Sequence, residues 1–386
     1  NKRGNAVEMI DIGGPTLLRA AAKNFESVTS ISSPRDYTLL INNIQKNSGK
    51  TDLSFRKKMA AKTFKLISKY DQNIHNWFIN NKERKDFKLK YGENPHQKAK
   101  LKIKNTSSLG NYKIQGKEIG YNNILDIDSG LDFLNEFKEP TTVIIKHHNA
   151  CGIASSSFIK KSFIRAFSSD KKSAFGGVVL LNKKLEADLA KIIIKNFFEV
   201  IVAPDYTNEA IEILSLKKNL ILINSKKVPK KQKEIIKSVR MGTLIQENDS
   251  VSLSKKHFNI VSHKKKLTKR EYEDVLFSFK VVKHMKSNAV VLVKNKQTIG
   301  IGAGQMNRYD ATRLSISKYK ENFSLKNIVC ASDAFFPFVD SIKLLQKNNC
   351  KCIVVPKGSI NDNKVINFAD KNQLKLIFSS LRAFKH

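Results

Sequence analysis

The sequence has few of the residues that define several common classes of protein. Only four cysteines occur in 386 residues, Cys151, Cys330, Cys350 and Cys352, and no two of them form a C-x-x-C pair. A disulfide framework and a structural zinc site are therefore excluded. No run of about 18 apolar residues is present, so no transmembrane helix is expected. These absences favour a protein of the reducing cytoplasm.

Acidic residues are also scarce. The chain has 34 aspartates and glutamates against 70 lysines and arginines, which gives a formal net charge of +36. Such a charge is typical of nucleic-acid-binding proteins. The basic residues are mostly lysines spread along the whole chain, however, whereas arginine is the usual base-reading residue. Compositional drift is therefore the preferred interpretation, and the densest runs, 226–237 and 263–270, are predicted as solvated loops or helix faces.

The first 81 residues contain three predicted helices, the first of which opens after a strand-to-helix turn at IDIGGP. The chain begins with NKRGNAVEMIDIGG, without an initiator methionine or the apolar core of a signal peptide, so we expect the natural N-terminus to lie upstream. Helices are predicted over 16–24, after Pro34, and over 51–81. The charged, apolar-poor stretch KERKDFKLK (82–90) is the best candidate for a domain boundary.

After residue 90, short apolar runs alternate with amphipathic stretches. The runs TVIIK, FGGVVLL, FEVIVAP, NLILINS, NAVVLVK, NIVCASDAFF, CIVVP and LKLIFSS predict buried strands. Their alternation with helices predicts the α/β class, with helices packed on sheets. The segments before and after about residue 265 are compatible with two similar halves.

The strand TVIIK ends in a group of proton-handling residues, Lys146, His147, His148 and Asn149. Histidine is the usual general base near neutral pH, and a neighbouring lysine donates a proton or holds an anion. A polar loop with a core histidine is an equally weighted alternative. Zinc is not expected, since the H-x-E and P-C-x-x-C pattern of zinc deaminases is absent. Cys151 is expected to be a small buried residue and not a nucleophile.

Three further motifs suit a ligand site, each with a plainer alternative, and a fourth is rejected as a dinucleotide site. KYGENPHQ (90–97) is either part of a ligand site or an ordinary turn. The glycines of SAFGG (173–177) allow close approach of a ligand, or form a β-bulge. GIGAG (300–304) follows a hairpin, so it is not a dinucleotide fingerprint. ASDAFFPFVD (331–340) forms a flat aromatic slot or packs in the core.

In this order, the motifs resemble the bifunctional purine-biosynthesis family that combines phosphoribosylaminoimidazolecarboxamide formyltransferase with IMP cyclohydrolase. The resemblance covers nearly the whole chain and rests on IDIGGPTLLRAAAKN, YGENPHQ, YNNILDID, KHHNACG, SAFGG, FEVIVAP, KSNAVV, GIGAGQMNR, ASDAFFPF and the terminal LRAFKH. It implies that residues 1–85 are the C-terminal remainder of an α/β cyclohydrolase domain of methylglyoxal-synthase type. Residues 86–386 would be a formyltransferase domain of two cytidine-deaminase-like units without zinc. A cytoplasmic homodimer with sites shared across its interface is also implied.

The implied reaction transfers the formyl group of 10-formyltetrahydrofolate, a co-substrate, to the 5-amino group of an imidazole carboxamide ribotide, without a metal. His147 matches the base that acts on the amine, Lys146 the residue that assists proton transfer, and Asn288 the residue that orients the formyl group. The positions that match nucleotide contacts are Lys90, Tyr91, Asn123, Arg308 and Arg382. Those that match folate contacts are Phe175, Gly176, Phe335, Phe338 and Asp340.

For the second activity, Asp11 and Lys23 match cyclohydrolase positions. The other residues of that site are expected to lie N-terminal to Asn1, so efficient cyclisation by this chain is not expected.

Five positions depart from the family pattern, among them Thr243, which replaces a second glycine. Lys90 replaces an arginine and loses its bidentate fork, and Ala150 replaces a proline that stiffens the loop. Asn307 replaces a serine, and Lys357 a glycine. A decayed or regulatory remnant is therefore an alternative, against which the intact proton-transfer residues argue.

Overall fold

The structure is a computed structural model that describes residues 4–79, 87–102, 112–228, 233–263 and 266–386. These residues fall in two compact units, one formed by 4–79 and the other by 87–101 together with 112–386. The domain boundary predicted between residues 85 and 86 lies outside the described residues. None of the helices in the described ranges is long and apolar enough to cross a membrane.

The described part of the first unit is helical. Its helices are α1 (Gly4–Glu8), α2 (Gly13–Lys23), α3 (Tyr37–Lys46) and α4 (Leu53–Ile79). A 3-10 turn, Pro34–Asp36, precedes α3, and the Ser33 hydroxyl accepts a hydrogen bond from the Arg35 amide as its N-terminal cap. The three helices predicted for this region are thus confirmed.

The second unit opens with a short antiparallel pair, β1 (Phe87–Leu89) and β2 (Ala99–Leu101). Two six-stranded sheets follow. The elements of the first sheet region are β3 (Lys113–Gln115), α5 (Tyr121–Leu134), β4 (Thr141–Lys146), β5 (Asn149–Ser155), α6 (Ile159–Ser169), α7 (Lys171–Ala174), β6 (Val178–Leu181), α8 (Ala187–Ile193), β7 (Val200–Ala203), α9 (Asn208–Ser215) and β8 (Ile221–Asn224).

After a ribbon of two strands, β9 (Glu234–Val239) and β10 (Gly242–Glu247), comes the second sheet region. Its elements are β11 (Phe258–Ile260), α10 (Lys269–Val282), β12 (Val290–Val293), β13 (Thr298–Gly302), α11 (Arg308–Asn322), β14 (Ile328–Ser332), α12 (Asp340–Lys347), β15 (Cys350–Pro356), α13 (Asp362–Lys371) and β16 (Lys375–Ser379). All eight predicted strands are present, and the α/β class is confirmed.

The two sheets have the same topology. Their strand orders are β3-β8-β7-β6-β4-β5 and β11-β16-β15-β14-β12-β13. In each, an antiparallel hairpin (β4–β5 or β12–β13) joins a parallel trio (β6–β7–β8 or β14–β15–β16), and an antiparallel strand covers the far edge. The second unit therefore consists of two structural repeats, as the sequence had suggested.

The repeats share one hydrophobic core. Helices α5 and α10 contribute to it together with one face of each sheet, whereas the outer face of each sheet packs against its own later helices. Along β4, Val143 and Ile145 belong to the shared core and Ile144 to the outer one, as the two-residue period of a strand requires. Burial on both faces explains why these strands are continuous apolar runs.

The ribbon of β9 and β10 corrects one expectation. The lysine-rich run 226–237 was predicted as a solvated loop or helix face, but its last four residues begin β9. The ribbon exposes apolar side chains, including Ile236, Leu244 and Ile245, at about three-fifths of their surface (58%, 59% and 61%). The pattern was missed because Lys237 and Ser238 interrupt the apolar residues of β9.

Candidate functional site

The turn between β4 and β5 presents the predicted catalytic pair. Its two central residues, His147 and His148, both have positive φ, 54° and 65°. This conformation suits a two-residue hairpin but favours asparagine and glycine over other residues. The amides of both histidines donate to the carboxylate of Asp126 on α5, at 3.3 Å and 2.7 Å. The turn is thus fastened to a buried helix.

A cavity of about 370 Å³ lies beside this turn, between the two repeats. Lys146 and His147 line it, as do residues of β5 and of the segment 169–173. The second repeat contributes Thr298, Gly300 and Ile301 of β13. The cavity exists because β5 and β13 approach each other, with a bridge between Ala154 and Gln297.

An ion pair between the repeats lies in the cavity wall. Lys318 Nζ of α11 is 3.0 Å from Asp170 Oδ2. Burial opposes ionisation of Asp170, but hydrogen bonds from Ser173 and Lys318 outweigh it and lower the carboxyl pKa. The hydrogen bond to Asp170 raises the pKa of Lys318. Both groups are therefore charged at neutral pH.

Cys151 also lines the cavity but is not suited to nucleophilic chemistry. Burial, followed by the nearby carboxylate of Asp170, raises the pKa of its thiol to about 12. The thiolate is the reactive form of cysteine, so this side chain is inert at neutral pH. The expectation that Cys151 is not a nucleophile is consistent with this environment.

Lys146 is hydrogen-bonded to one predicted substrate residue, Phe175, and Asn123 is linked to the same segment through Glu199. Its Nζ donates to the carbonyl oxygen of Phe175 at 2.6 Å, and Gly176 follows with a φ of 70°. The Glu199 amide donates to the carbonyl of Gly177, and Glu199 Oε2 accepts from Asn123 Nδ2 at 3.0 Å. Phe175 is 63% exposed beside Phe197. Glu199 was not singled out from the sequence, since a glutamate before a strand carries no distinctive pattern.

The Asn288 side chain is held at both ends. Its Oδ1 accepts from Arg308 Nη2 at 2.7 Å, and its Nδ2 donates to the carbonyl of Gln305 at 2.8 Å. Because a guanidinium only donates, the contact with Arg308 determines which end of the amide is the oxygen. Asn149, in the cavity wall, accepts from the amide of Lys286, which ties the first repeat to the loop that carries Asn288.

Arg308 is itself buried and paired. Its Nη1 donates to Ser332 Oγ at 2.7 Å and forms an ion pair with Asp333 Oδ1. The C-terminal segment covers this group, since the Ala383 amide donates to the carbonyl of Asp333. The guanidinium of Arg382 lies 3.9 Å from the ring centroid of Phe384. The predicted nucleotide residues Arg308 and Arg382 are thus neighbours of one ring.

Among the predicted site residues, only Lys146 and His147 line the cavity; Asn288, Arg308, Arg382, Asn123, Phe175 and Gly176 do not, nor do the remaining ones. Lys90 lies over the ring of Tyr91 at 5.8 Å, and the neighbouring Glu93 carbonyl accepts from Asn122 on α5. Phe338 is 63% exposed, and Asp340 begins α12. The three phenylalanines of ASDAFFPFVD lie in different environments. Phe336, for which no role was predicted, is buried in the outer core of the second repeat, whereas Phe335 and Phe338 remain accessible.

The predicted cyclohydrolase residues lie in the first unit. Asp11 accepts from the Gly14 amide at 2.9 Å, and its own amide donates to the Tyr70 hydroxyl. Lys23 is the last residue of α2 and is exposed. A second, open cavity of this unit, about 490 Å³, is lined by residues of α2 and α4 but by neither Asp11 nor Lys23.

A buried charged group supports the loop before Asn288. His284 Nε2 is 2.9 Å and Lys283 Nζ 3.1 Å from Glu136 Oε1. Burial lowers the pKa of His284, although the hydrogen bond to Glu136 opposes this shift. Burial raises the pKa of Glu136, but its contacts with His284 and Lys283 outweigh burial, so its net pKa is lowered.

This environment predicts a loss of stability in mild acid. Since folding lowers the His284 pKa below its ordinary value of 6.5, the unfolded chain binds the proton more readily. The contribution of neutral His284 to the free energy of unfolding is complete above pH 6.5, and it declines as the pH falls towards the pKa of His284 in the folded chain. When the free energy of unfolding is measured in urea between about pH 7 and about pH 5.5, it should fall less steeply with decreasing pH in His284→Gln than in the parent. An unchanged slope in the variant would show that His284 does not cause it.

No group of three or more histidine, cysteine, aspartate or glutamate side chains in the described ranges is arranged to hold a metal ion.

The fold and this site define an α/β protein of two repeats with a cavity between them that Lys146 and His147 line. A sequence profile of the AICARFT/IMPCHase bienzyme family matches residues 21–318. The bifunctional purine biosynthesis protein PurH of Caldicellulosiruptor bescii is 41% identical over 99% of this chain and 77% of its own length. The PurH proteins of Thermoanaerobacter sp. (strain X514) and Fusobacterium nucleatum are 42% and 40% identical over 99% and 98% of this chain, again covering 77% of each relative. The chain belongs to the AICARFT/IMPCHase bienzyme family.

Proposed function

We propose that the cavity between the repeats catalyses the formyl transfer of this purine-biosynthesis family. The donor is 10-formyltetrahydrofolate, and the acceptor is the 5-amino group of the imidazole carboxamide ribotide. One observation carries the proposal: Lys146 and His147 stand side by side in the wall of a 370 Å³ cavity in a member of the family. A cavity of this size suits the reacting ends of small molecules.

The chemistry requires two proton movements. The acceptor amine is conjugated with the ring and the carboxamide, so it is a weak nucleophile and needs a base at its proton. His147 takes that proton. The folate nitrogen N10 must gain a proton as it leaves. Lys146 supplies this proton or stabilises the charge that develops during the transfer. The contact between Lys146 and the Phe175 carbonyl holds the ammonium group at the cavity wall.

Asn288 stabilises the negative charge that develops on the formyl oxygen. An asparagine amide has two N–H donors, and the carbonyl of Gln305 accepts from Nδ2. Arg308 holds Oδ1, so Nδ2 is the end that remains available to an oxyanion. We assign Arg308, Arg382, Asn123, Lys90 and Tyr91 to the nucleotide, and Phe175, Gly176, Phe335, Phe338 and Asp340 to the folate.

The proposal is tested by measuring tetrahydrofolate release with the imidazole ribotide as acceptor. The chain should turn over, and replacement of His147 should abolish most of the rate. An inactive, folded chain would favour a remnant disabled at Lys90 or Ala150.

A homodimer is the second part of the proposal. The β9–β10 ribbon supports it, because a two-stranded ribbon is marginal alone and this one exposes Ile236 and Ile245 opposite each other. The chain has a mass of 43.7 kDa, and sedimentation at micromolar concentration should give twice this value. A monomer at all concentrations would contradict a shared interface.

The finer fold assignments complete the proposal. The two repeats are taken as cytidine-deaminase-like units, supported by their shared topology. The first unit is taken as part of the cyclohydrolase domain, with Asp11 and Lys23 as its candidate residues. A cytoplasmic location is supported by the free thiols of all four cysteines.

A further inference from the structure

The backbone at the catalytic turn is costly to maintain. A positive φ is unfavourable for a residue with a side chain, and both His147 and His148 adopt it. The turn is held by three hydrogen bonds from α5: the carboxylate of Asp126 accepts two amides, and the Ser129 hydroxyl donates to the His148 carbonyl at 2.9 Å. Asp126 is only 9% exposed.

The second repeat contains the same arrangement without the histidines. Asp274 of α10 accepts from the amides of Asn295 and Lys296 at 2.8 Å and 2.6 Å. These residues also have positive φ, 51° and 56°. In both repeats the two amides follow the carboxylate by 21 and 22 residues. The aspartate clamp is therefore a feature of the repeated fold, and only in the first repeat does it carry a histidine that lines the cavity.

We propose that Asp126 is the positioning residue for His147. The inference rests on the proposed function and adds a residue that acts through the base without touching substrate. With both amides bound to one carboxylate, the Cα–Cβ direction of His147 is set relative to α5. The first repeat also has the Ser129 bond, whereas the position three residues after Asp274 is the apolar Phe277. The His148 carbonyl is thus held by α5 of its own repeat, whereas the equivalent Lys296 carbonyl accepts from the amide of Ser155 in the first repeat.

The test compares Asp126→Asn with Asp274→Asn, a control that makes the same change in the other repeat. An asparagine accepts one amide but turns an N–H group towards the second. Both variants should lose similar thermal stability. Asp126→Asn should lower kcat by about 10- to 100-fold with KM for the ribotide within about threefold, since a small displacement of a catalytic group has this effect. Asp274→Asn should keep kcat within about twofold, because its turn carries no reacting group.

A double variant separates positioning from general structure. In the His147→Ala background, Asp126→Asn should cause no further loss, because residues that act as a unit are not additive. Equal kcat losses in the two asparagine variants, a parent-like Asp126→Asn, or an additive double variant would each overturn the inference. If His147→Ala alone keeps the parent rate, the proposed function fails instead, and this result is distinct from the others.

A milder variant keeps the test decisive if Asp126→Asn does not fold. Ser129→Ala removes one hydrogen bond and leaves the carboxylate in place. It should lower kcat by about fivefold, the equivalent of one ordinary hydrogen bond. No change in kcat in Ser129→Ala, together with an unfolded Asp126→Asn, would count against positioning and assign the clamp to stability alone.

Discussion

His147→Ala is expected to lower kcat for formyl transfer by about 10²- to 10⁴-fold, the usual contribution of a general base. The acceptor amine must lose a proton as it attacks, and His147 is the histidine that lines the cavity. The variant should bind both substrates nearly as well as the parent, because the imidazole acts mainly in the transition state. Tetrahydrofolate release under saturating conditions measures the loss.

His148→Ala is the matched control for this experiment. Both histidines occupy the same turn with positive φ, so alanine at either position places similar strain on the backbone. His148 does not line the cavity, and its amide remains free to donate to Asp126. A loss of similar size in both variants would mean that the turn, and not the imidazole of His147, is required. Parent-like activity of His147→Ala would remove it from the mechanism.

Asp333→Ala is expected to destabilise the second repeat by about 3–5 kcal/mol, the typical cost of removing one partner from a buried ion pair. The side chains of Asp333 and Arg308 are 0% and 7% exposed. Without the carboxylate, the guanidinium keeps its charge in an almost fully buried position. The loss should appear as a lower midpoint in urea unfolding, followed by a probe of the second unit.

Activity should fall in the same variant, since Arg308 also holds Oδ1 of Asn288. The control is Asp188→Ala, which breaks an exposed ion pair with Lys160 (53% and 45% exposed) and should cost less than about 1 kcal/mol. Replacement of both Asp333 and Arg308 by apolar residues should recover part of the stability but none of the activity. Equal effects of Asp333→Ala and Asp188→Ala would show that the buried pair contributes little.

The eight predicted strands of the second unit could be recognised from the sequence because their environment is uniform. Each is buried on both faces, so each is a short run of apolar residues between polar loops, as in TVIIK and CIVVP. The β9–β10 ribbon was missed for the opposite reason. It is exposed on both faces, so its polar and apolar residues do not form the continuous apolar run of a core strand.

The residues around the candidate site divide in the same way. Lys146 and His147 are adjacent in the chain and stand at a strand end, so their pairing was visible without coordinates. Asp126 and Glu199 were not singled out, because each acts on residues that are distant in sequence. A carboxylate on one helix has no pattern that distinguishes a clamp of backbone amides from a solvated surface group.

The sequence by itself determined the alternation of strands and helices, the family, and the order of its motifs. These properties depend on local periodicity and on residue identity. Only the tertiary structure decided that two repeats enclose the cavity, that Arg308 orients the Asn288 amide, and that matching aspartates hold both hairpin turns. Such contacts join residues at least 20 positions apart, and their geometry exists only after the sheets have packed around α5 and α10.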